Sequence, residues 1–104
     1  MELDFDKNGC KAFFKKHPNT QKIAQKKITQ AIEKEVETGM SKVKLATRQK
    51  INELPCYEMR LNLGNIGSVR IAFTVHHQQA TVYYLTTTLQ KSEFSKELEK
   101  SLKS

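Results

Sequence analysis

The spacing of apolar positions changes several times along the chain, and each change marks an element. Residues 2–6 alternate, with Leu3 and Phe5 on one side, the period of a short strand. The Asp6-Lys7-Asn8-Gly9 cluster that follows reads as a turn or helix start. A short helix through Phe13 and Phe14 has to end before His17-Pro18, because the residue preceding proline avoids the α region. A longer helix then carries Ala24, Ile28, Ala31, Ile32 and Val36 as an apolar stripe, with Lys22, Lys26, Lys27 and Lys34 on its other face. Asn19 or Thr20 is placed to cap it, and Gly39 stands where a left-handed C-terminal residue belongs. The two helices predict an αα-hairpin. Residues 40–53 fit either a partial strand or an ordered loop, with Lys42, Lys44, Arg48 and Lys50 interleaved among Val43, Leu45 and Ile51.

From Tyr57 the period becomes two. Tyr57, Met59, Leu61 and Leu63 point one way, and Glu58, Arg60 and Asn62 the other. Gly64-Asn65-Ile66-Gly67 reads as a hairpin connection. Val69, Ile71, Phe73 and Val75 then form a second apolar face, opposite Ser68, Arg70, Ala72, Thr74 and His76. Gln78-Gln79 marks another turn, and Ala80–Leu89 is a β-rich run containing Tyr83 and Tyr84, which alternation sends to opposite faces. Ser92 can cap a final helix whose stripe is Phe94, Leu98 and Leu102, with Glu93 and Glu97 early and Lys100 and Lys103 late, as the helix dipole favours. The order predicts an α+β fold. An N-terminal strand and helical hairpin pack on one face of a small antiparallel sheet, a C-terminal helix follows, and the second sheet face stays open.

Composition narrows this picture. The 104 residues fit a single domain spanning 1–104. With 38% apolar and 28% charged residues, the chain is too apolar for a disordered tail. No apolar run approaches the roughly 20 residues of a membrane span. The acidic, alternating start is the wrong chemistry for a signal peptide, so a cytoplasmic location is expected. Cys10 and Cys56 match no metal-ligand spacing and read as small buried residues. His76-His77 sits at a hairpin end, where adjacent strand residues diverge, and makes a poor metal pair. Nothing in the sequence calls for a metal or a cofactor.

Charge adds the first functional hint. Lys and Arg total 18 against 11 acids, a formal +7. The excess is uneven, with 12 basic and 6 acidic side chains in residues 1–52 against 6 and 5 in the rest. Such a balance suits a polyanionic partner, nucleic acid first, although a solvated lysine-rich surface produces the same numbers.

The second sheet face sharpens that hint. If 64–66 is a three-residue loop, Asn62 pairs with Ser68, Arg60 faces Arg70 and Glu58 faces Ala72. Opposed arginines repel by about 0.2–1 kcal/mol, and Glu58, diagonal to Arg70, offsets part of that. Guanidiniums gathered around a carboxylate suit a site that receives phosphate, where arginine offers bidentate donors.

Three segments also resemble the toxins of bacterial toxin–antitoxin pairs. Leu54-Pro55-Cys56-Tyr57-Glu58-Met59-Arg60-Leu61 resembles the "L-P-x-Y-E-L-R" segment of RelE/HigB-like toxins. Val69-Arg70-Ile71-Ala72-Phe73 resembles the strand that follows it, and Val82–Lys91 the strand leading into the last helix. The resemblance implies the RelE-like fold and a ribosome-dependent mRNA endonuclease that inhibits translation and is neutralised by a cognate antitoxin protein. In that family the ribose 2′-OH attacks its own 3′-phosphate, without a metal. On the matching positions, Arg70 would stabilise phosphate charge and Arg60 would hold the backbone. Glu58 would act as base or arginine orienter, and Lys91 as a phosphate contact or acid-side helper. Lys42, Lys44, Arg48 and Lys50 would grip phosphate by a salt-sensitive, sequence-independent term, and Tyr84 and Thr88 would contact RNA. Ribosome and mRNA are the implied partners, no membrane is involved, and operator DNA would be met only through the antitoxin complex.

The pattern departs from the family at one place. Members often carry a His or Tyr near the end of the last strand, where this chain reads Thr86-Thr87-Thr88-Leu89. Two other functions therefore compete: a ParE-like poison of DNA gyrase, and a catalytically weak nucleic-acid- or antitoxin-binding module of the same fold.

Overall fold

A computed structural model of the chain describes residues 1–103. Its elements run β1 (Glu2–Phe5), α1 (Lys7–Lys16), α2 (Gln21–Glu37), β2 (Lys44–Leu45), β3 (Tyr57–Asn62), β4 (Ser68–His76), β5 (Gln79–Thr86) and α3 (Lys91–Leu102), with a 3₁₀ turn over Gly64–Ile66. The α+β class read from the sequence is the class observed. Among the described residues no helix is long and apolar enough to cross a membrane.

The five strands form one sheet in the order β1-β5-β4-β3-β2. Strands β2 to β5 pair antiparallel, but β1 lies parallel to β5, with Leu3 opposite Ala80 and Phe5 opposite Val82. The sheet is thus mixed, not purely antiparallel as expected. A parallel neighbour requires a long crossover, and the α1–α2 hairpin with β2–β4 supplies it.

One sheet face carries the main core, where Phe13, Ala24, Ile28 and Ile32 of the hairpin meet Val69, Ile71, Phe73, Val82 and Leu85. Val36, expected on that stripe, is 36% exposed, because α2 has reached its last turn there. The other face is not left open. Phe94 and Leu98 of α3 lie fully buried against Ala72, Cys56 and Ala46 in a second core. Small residues at 46, 56 and 72 let the helix approach the sheet closely.

Local chemistry explains the ends of the helices. Asp6 caps α1, its carboxylate accepting from the Gly9 amide at 3.1 Å. Thr20 occupies the cap position of α2, yet its hydroxyl donates to the His17 carbonyl at 2.6 Å and not into the helix. Gly39 takes φ +77° after α2, as its position suggested. Ser92 does not cap α3, which begins at Lys91 with Gln90 as the cap residue.

The hairpin register is the expected one: Asn62 opposite Ser68, Arg60 opposite Arg70, Glu58 opposite Ala72. Strand β5 is less regular. Ala72 faces Tyr84 while Phe73 faces Val82, so a bulge absorbs Tyr83. Without it, Val82 and Leu85, three residues apart, would fall on opposite faces. With it, both enter the main core and Tyr84 turns to the α3 side. Helix α1 packs directly on the bulge. A Cβ on Gly9 would sit 1.6 Å from the Tyr83 carbonyl oxygen, so only glycine permits this approach.

Candidate nucleic-acid interface

Strands β2 to β5 lay two rows of side chains across the α3 face. One row runs Lys44, Glu58, Ala72 and the next Arg60, Arg70, Thr86. Period-two alternation puts both rows on the same face, and the hairpin register sets Arg70 diagonal to Glu58. Their side chains meet, the Arg70 Nη1 donating to Glu58 Oε1 in an ion pair. Glu58 is 4% exposed and the Arg70 side chain 17%.

Three further contacts define the arrangement. Arg70 Nε donates to the Leu89 carbonyl at 3.0 Å, and its Cζ lies 5.8 Å from the centre of the Phe94 ring. Among the described residues the second carboxylate oxygen, Glu58 Oε2, is buried without a hydrogen-bond partner. A buried acceptor left unpaired costs about 1–3 kcal/mol.

That cleft, about 260 Å³, is lined by Lys42, Lys44, Glu58, Arg60, Arg70 and Lys91. Five cations surround one carboxylate. Lys42 and Lys44 arrive from the turn and short strand after α2, Arg60 from β3, Arg70 from β4 and Lys91 from the first residue of α3. Arg60 is exposed, and its repulsion with Arg70 is held in place by the sheet register. An anion between them would remove that repulsion.

Six of the ten residues singled out in the sequence therefore share one cleft. The other four do not line it. Arg48 and Lys50 are exposed on the irregular segment between β2 and β3. Tyr84 and Thr88 line a separate cleft between α1 and α3, together with His17 and Glu97. The Tyr84 hydroxyl donates to Glu97 Oε1 at 2.8 Å, and Thr86 reaches the same oxygen at 3.3 Å. Burial, and after it the bond to Glu97, pushes the Tyr84 phenol up to about 12. Tyr84 thus ties α3 to the sheet, away from the cleft that holds Arg70. Tyr83 and Tyr84 are both half-buried.

Sequence reasoning missed Phe94 and the Leu89 carbonyl. Phe94 was visible as a helix-stripe residue, but nothing in the pattern said which face of the sheet the stripe would meet. A backbone carbonyl leaves no sequence signal at all. His76 and His77, expected to diverge, hold their rings 4.2 Å apart, because His77 takes φ +55° in the turn. Among the described residues no three His, Cys, Asp or Glu side chains group as metal ligands. Comparison of the chain with protein-family models, curated proteins and solved structures gave no match. The resemblance to RelE/HigB-like toxins thus rests on the three short segments between residues 54 and 91.

Proposed function

We propose that the chain is the toxin of a type II toxin–antitoxin pair, acting in the cytoplasm as a ribosome-dependent mRNA endonuclease of RelE/HigB-like type. The observation that carries this reading is the cleft itself. Glu58, Arg60, Arg70 and Lys91, drawn from three separate motifs, converge with Lys42 and Lys44 on one anion-sized recess.

The chemistry asked of it is small. A ribose 2′-oxygen attacks the adjacent 3′-phosphorus, the bond from phosphorus to the 5′-oxygen breaks, and a 2′,3′-cyclic phosphate and a 5′-hydroxyl result. Glu58, which lines the cleft, accepts the 2′ proton. Arg70, oriented by Glu58 and Leu89, offers its outer N–H groups to the charge growing on phosphorus. Arg60, Lys42 and Lys44 hold the flanking phosphates, and Lys91 supplies a proton at the leaving oxygen. Five cations around one phosphodiester also give strongly salt-dependent binding.

One observation favours a second reading, a binding module with weak or no cleavage. The end of β5 offers threonines where the family often has a His or Tyr, and Tyr84 is engaged by Glu97. Induction of the chain in bacteria beside Arg70→Ala separates the readings. Growth arrest with fragmented translated mRNA, lost in the variant, supports the nuclease. Arrest with damaged DNA and intact mRNA supports gyrase poisoning, and unimpaired growth despite good expression removes both toxic readings in that host.

A further inference from the structure

The Arg70 guanidinium is fixed by groups from three other segments. Glu58 of β3 takes one Nη1 hydrogen, the Leu89 carbonyl takes the Nε hydrogen, and the Phe94 ring lies under Cζ at 5.8 Å. Two of these three contacts come from α3 and the segment leading into it. Phe94 itself cannot drift, being fully buried against Ala72, Cys56 and Leu98. Of the five N–H donors of an arginine, those on Nη2 carry no partner among the described residues. The plane of the group is thus set from the α3 side and its outer edge left to the cleft.

We infer that Phe94 and the Leu89 carbonyl are positioning groups for Arg70, so that docking of α3 on the sheet fixes the direction in which the anion site presents its guanidinium. A ring beneath a guanidinium attracts it through the ring quadrupole and restricts its tilt. The Nε bond to a carbonyl restricts rotation about the last side-chain torsion. Removing the ring leaves Arg70 charged and still paired with Glu58, but free to swing. Lys91, the first residue of α3, lies in the same cleft, so the same docking places a second cation. By linkage, an anion that prefers the assembled site stabilises the docked helix to the same extent. This rests on the RNA-binding reading of the cleft for its affinity arm alone.

The test is a double-mutant cycle with Phe94→Leu and Arg70→Ala, read by binding of a short fluorescein-labelled single-stranded RNA at low salt. Leu98→Val serves as the control, since Leu98 shares the second core with Phe94 and appears among none of the Arg70 contacts. Phe94→Leu is expected to weaken binding by roughly threefold to tenfold in the otherwise native chain and to leave the affinity of Arg70→Ala unchanged. Leu98→Val is expected to leave affinity unchanged in both backgrounds. A second readout needs no ligand: ¹⁵N relaxation of the Arg70 Nε–H should report a rigid group in the native chain and in Leu98→Val, and a mobile one in Phe94→Leu. Equal loss from Phe94→Leu with and without Arg70 overturns the inference, as does the same Arg70 mobility in Leu98→Val. If the native chain binds no RNA, the functional reading fails, and the relaxation result alone decides the role of Phe94.

Discussion

Truncating Arg70 to alanine strands a charge. Glu58 is 4% exposed, and among the described residues its one side-chain partner is the Arg70 guanidinium. Removing one member of a fully buried pair costs about 3–5 kcal/mol, most of it the penalty of an uncompensated carboxylate. Here the Arg70 side chain is 17% exposed, so water enters the vacated space and lowers the cost to about 2–3 kcal/mol. For a domain of this length that corresponds to a fall in Tm of roughly 10–20 °C. The diagnostic is a change of sign at Glu58. In the native chain Glu58→Gln weakens a charge-assisted bond and costs about 1 kcal/mol. In the Arg70→Ala background the same change removes the stranded charge and restores about 1–2 kcal/mol. Urea unfolding followed by far-UV circular dichroism measures all four corners of the cycle, provided the m-values agree. Arg70→Ala within about 0.5 kcal/mol of the native chain, or Glu58→Gln destabilising both backgrounds alike, would refute a buried, mutually dependent pair.

Other expectations follow from the same geometry. Arg60→Ala should leave stability unchanged or raise it by up to about 1 kcal/mol by relieving the Arg60–Arg70 repulsion, while reducing the salt slope of RNA binding by about one; urea melts and binding titrations over a salt series check both. Gly9→Ala should destabilise by about 3 kcal/mol or more, because its Cβ collides with the Tyr83 carbonyl, and a thermal melt reads the loss directly. Cys10 and Cys56 are buried thiols, each pushed up to about 12, by burial first and then by Asp6 and Glu58 respectively. Unfolded thiols release their protons from about pH 9 upward while the folded ones hold theirs. Stability should therefore fall as pH rises from about 9 to about 12, with Tyr84 adding the same sign. Melts across that range, beside Cys10→Ala and Cys56→Ala, test the slope, and a chain whose stability is flat there contradicts the burial of both thiols.

What was legible in the sequence divides along a physical line. The β3–β4 face was readable because side chains alternate strictly with a period of two and the turn fixes register. Those two rules alone gave Arg60 opposite Arg70 and Glu58 beside it. The helical stripes were readable for the same reason, at 3.6 residues per turn. Non-local choices were not. Nothing in the alternation of β1 said whether it would run parallel to its neighbour. The stripe of α3 did not reveal that Ala46, Cys56 and Ala72 formed a shallow seat for it. The bulge at Tyr83 broke the alternation used to place Tyr84, which with Thr88 lines a cleft apart from that of Arg70. Lys42 and Lys44 illustrate the intermediate case: their charge was plain, and only the pairing of Lys44 with Glu58 brought them to the cleft.

The most direct test of the central claim is end mapping of an mRNA incubated with the purified chain, with and without ribosomes translating it. If the chain is the proposed nuclease, cleavage falls within the translated region only when ribosomes are present, the products bear 2′,3′-cyclic phosphate and 5′-hydroxyl ends, and both are lost in Arg70→Ala and Glu58→Gln. Full-length mRNA after prolonged incubation with translating ribosomes, or cleavage indifferent to both substitutions, would contradict it.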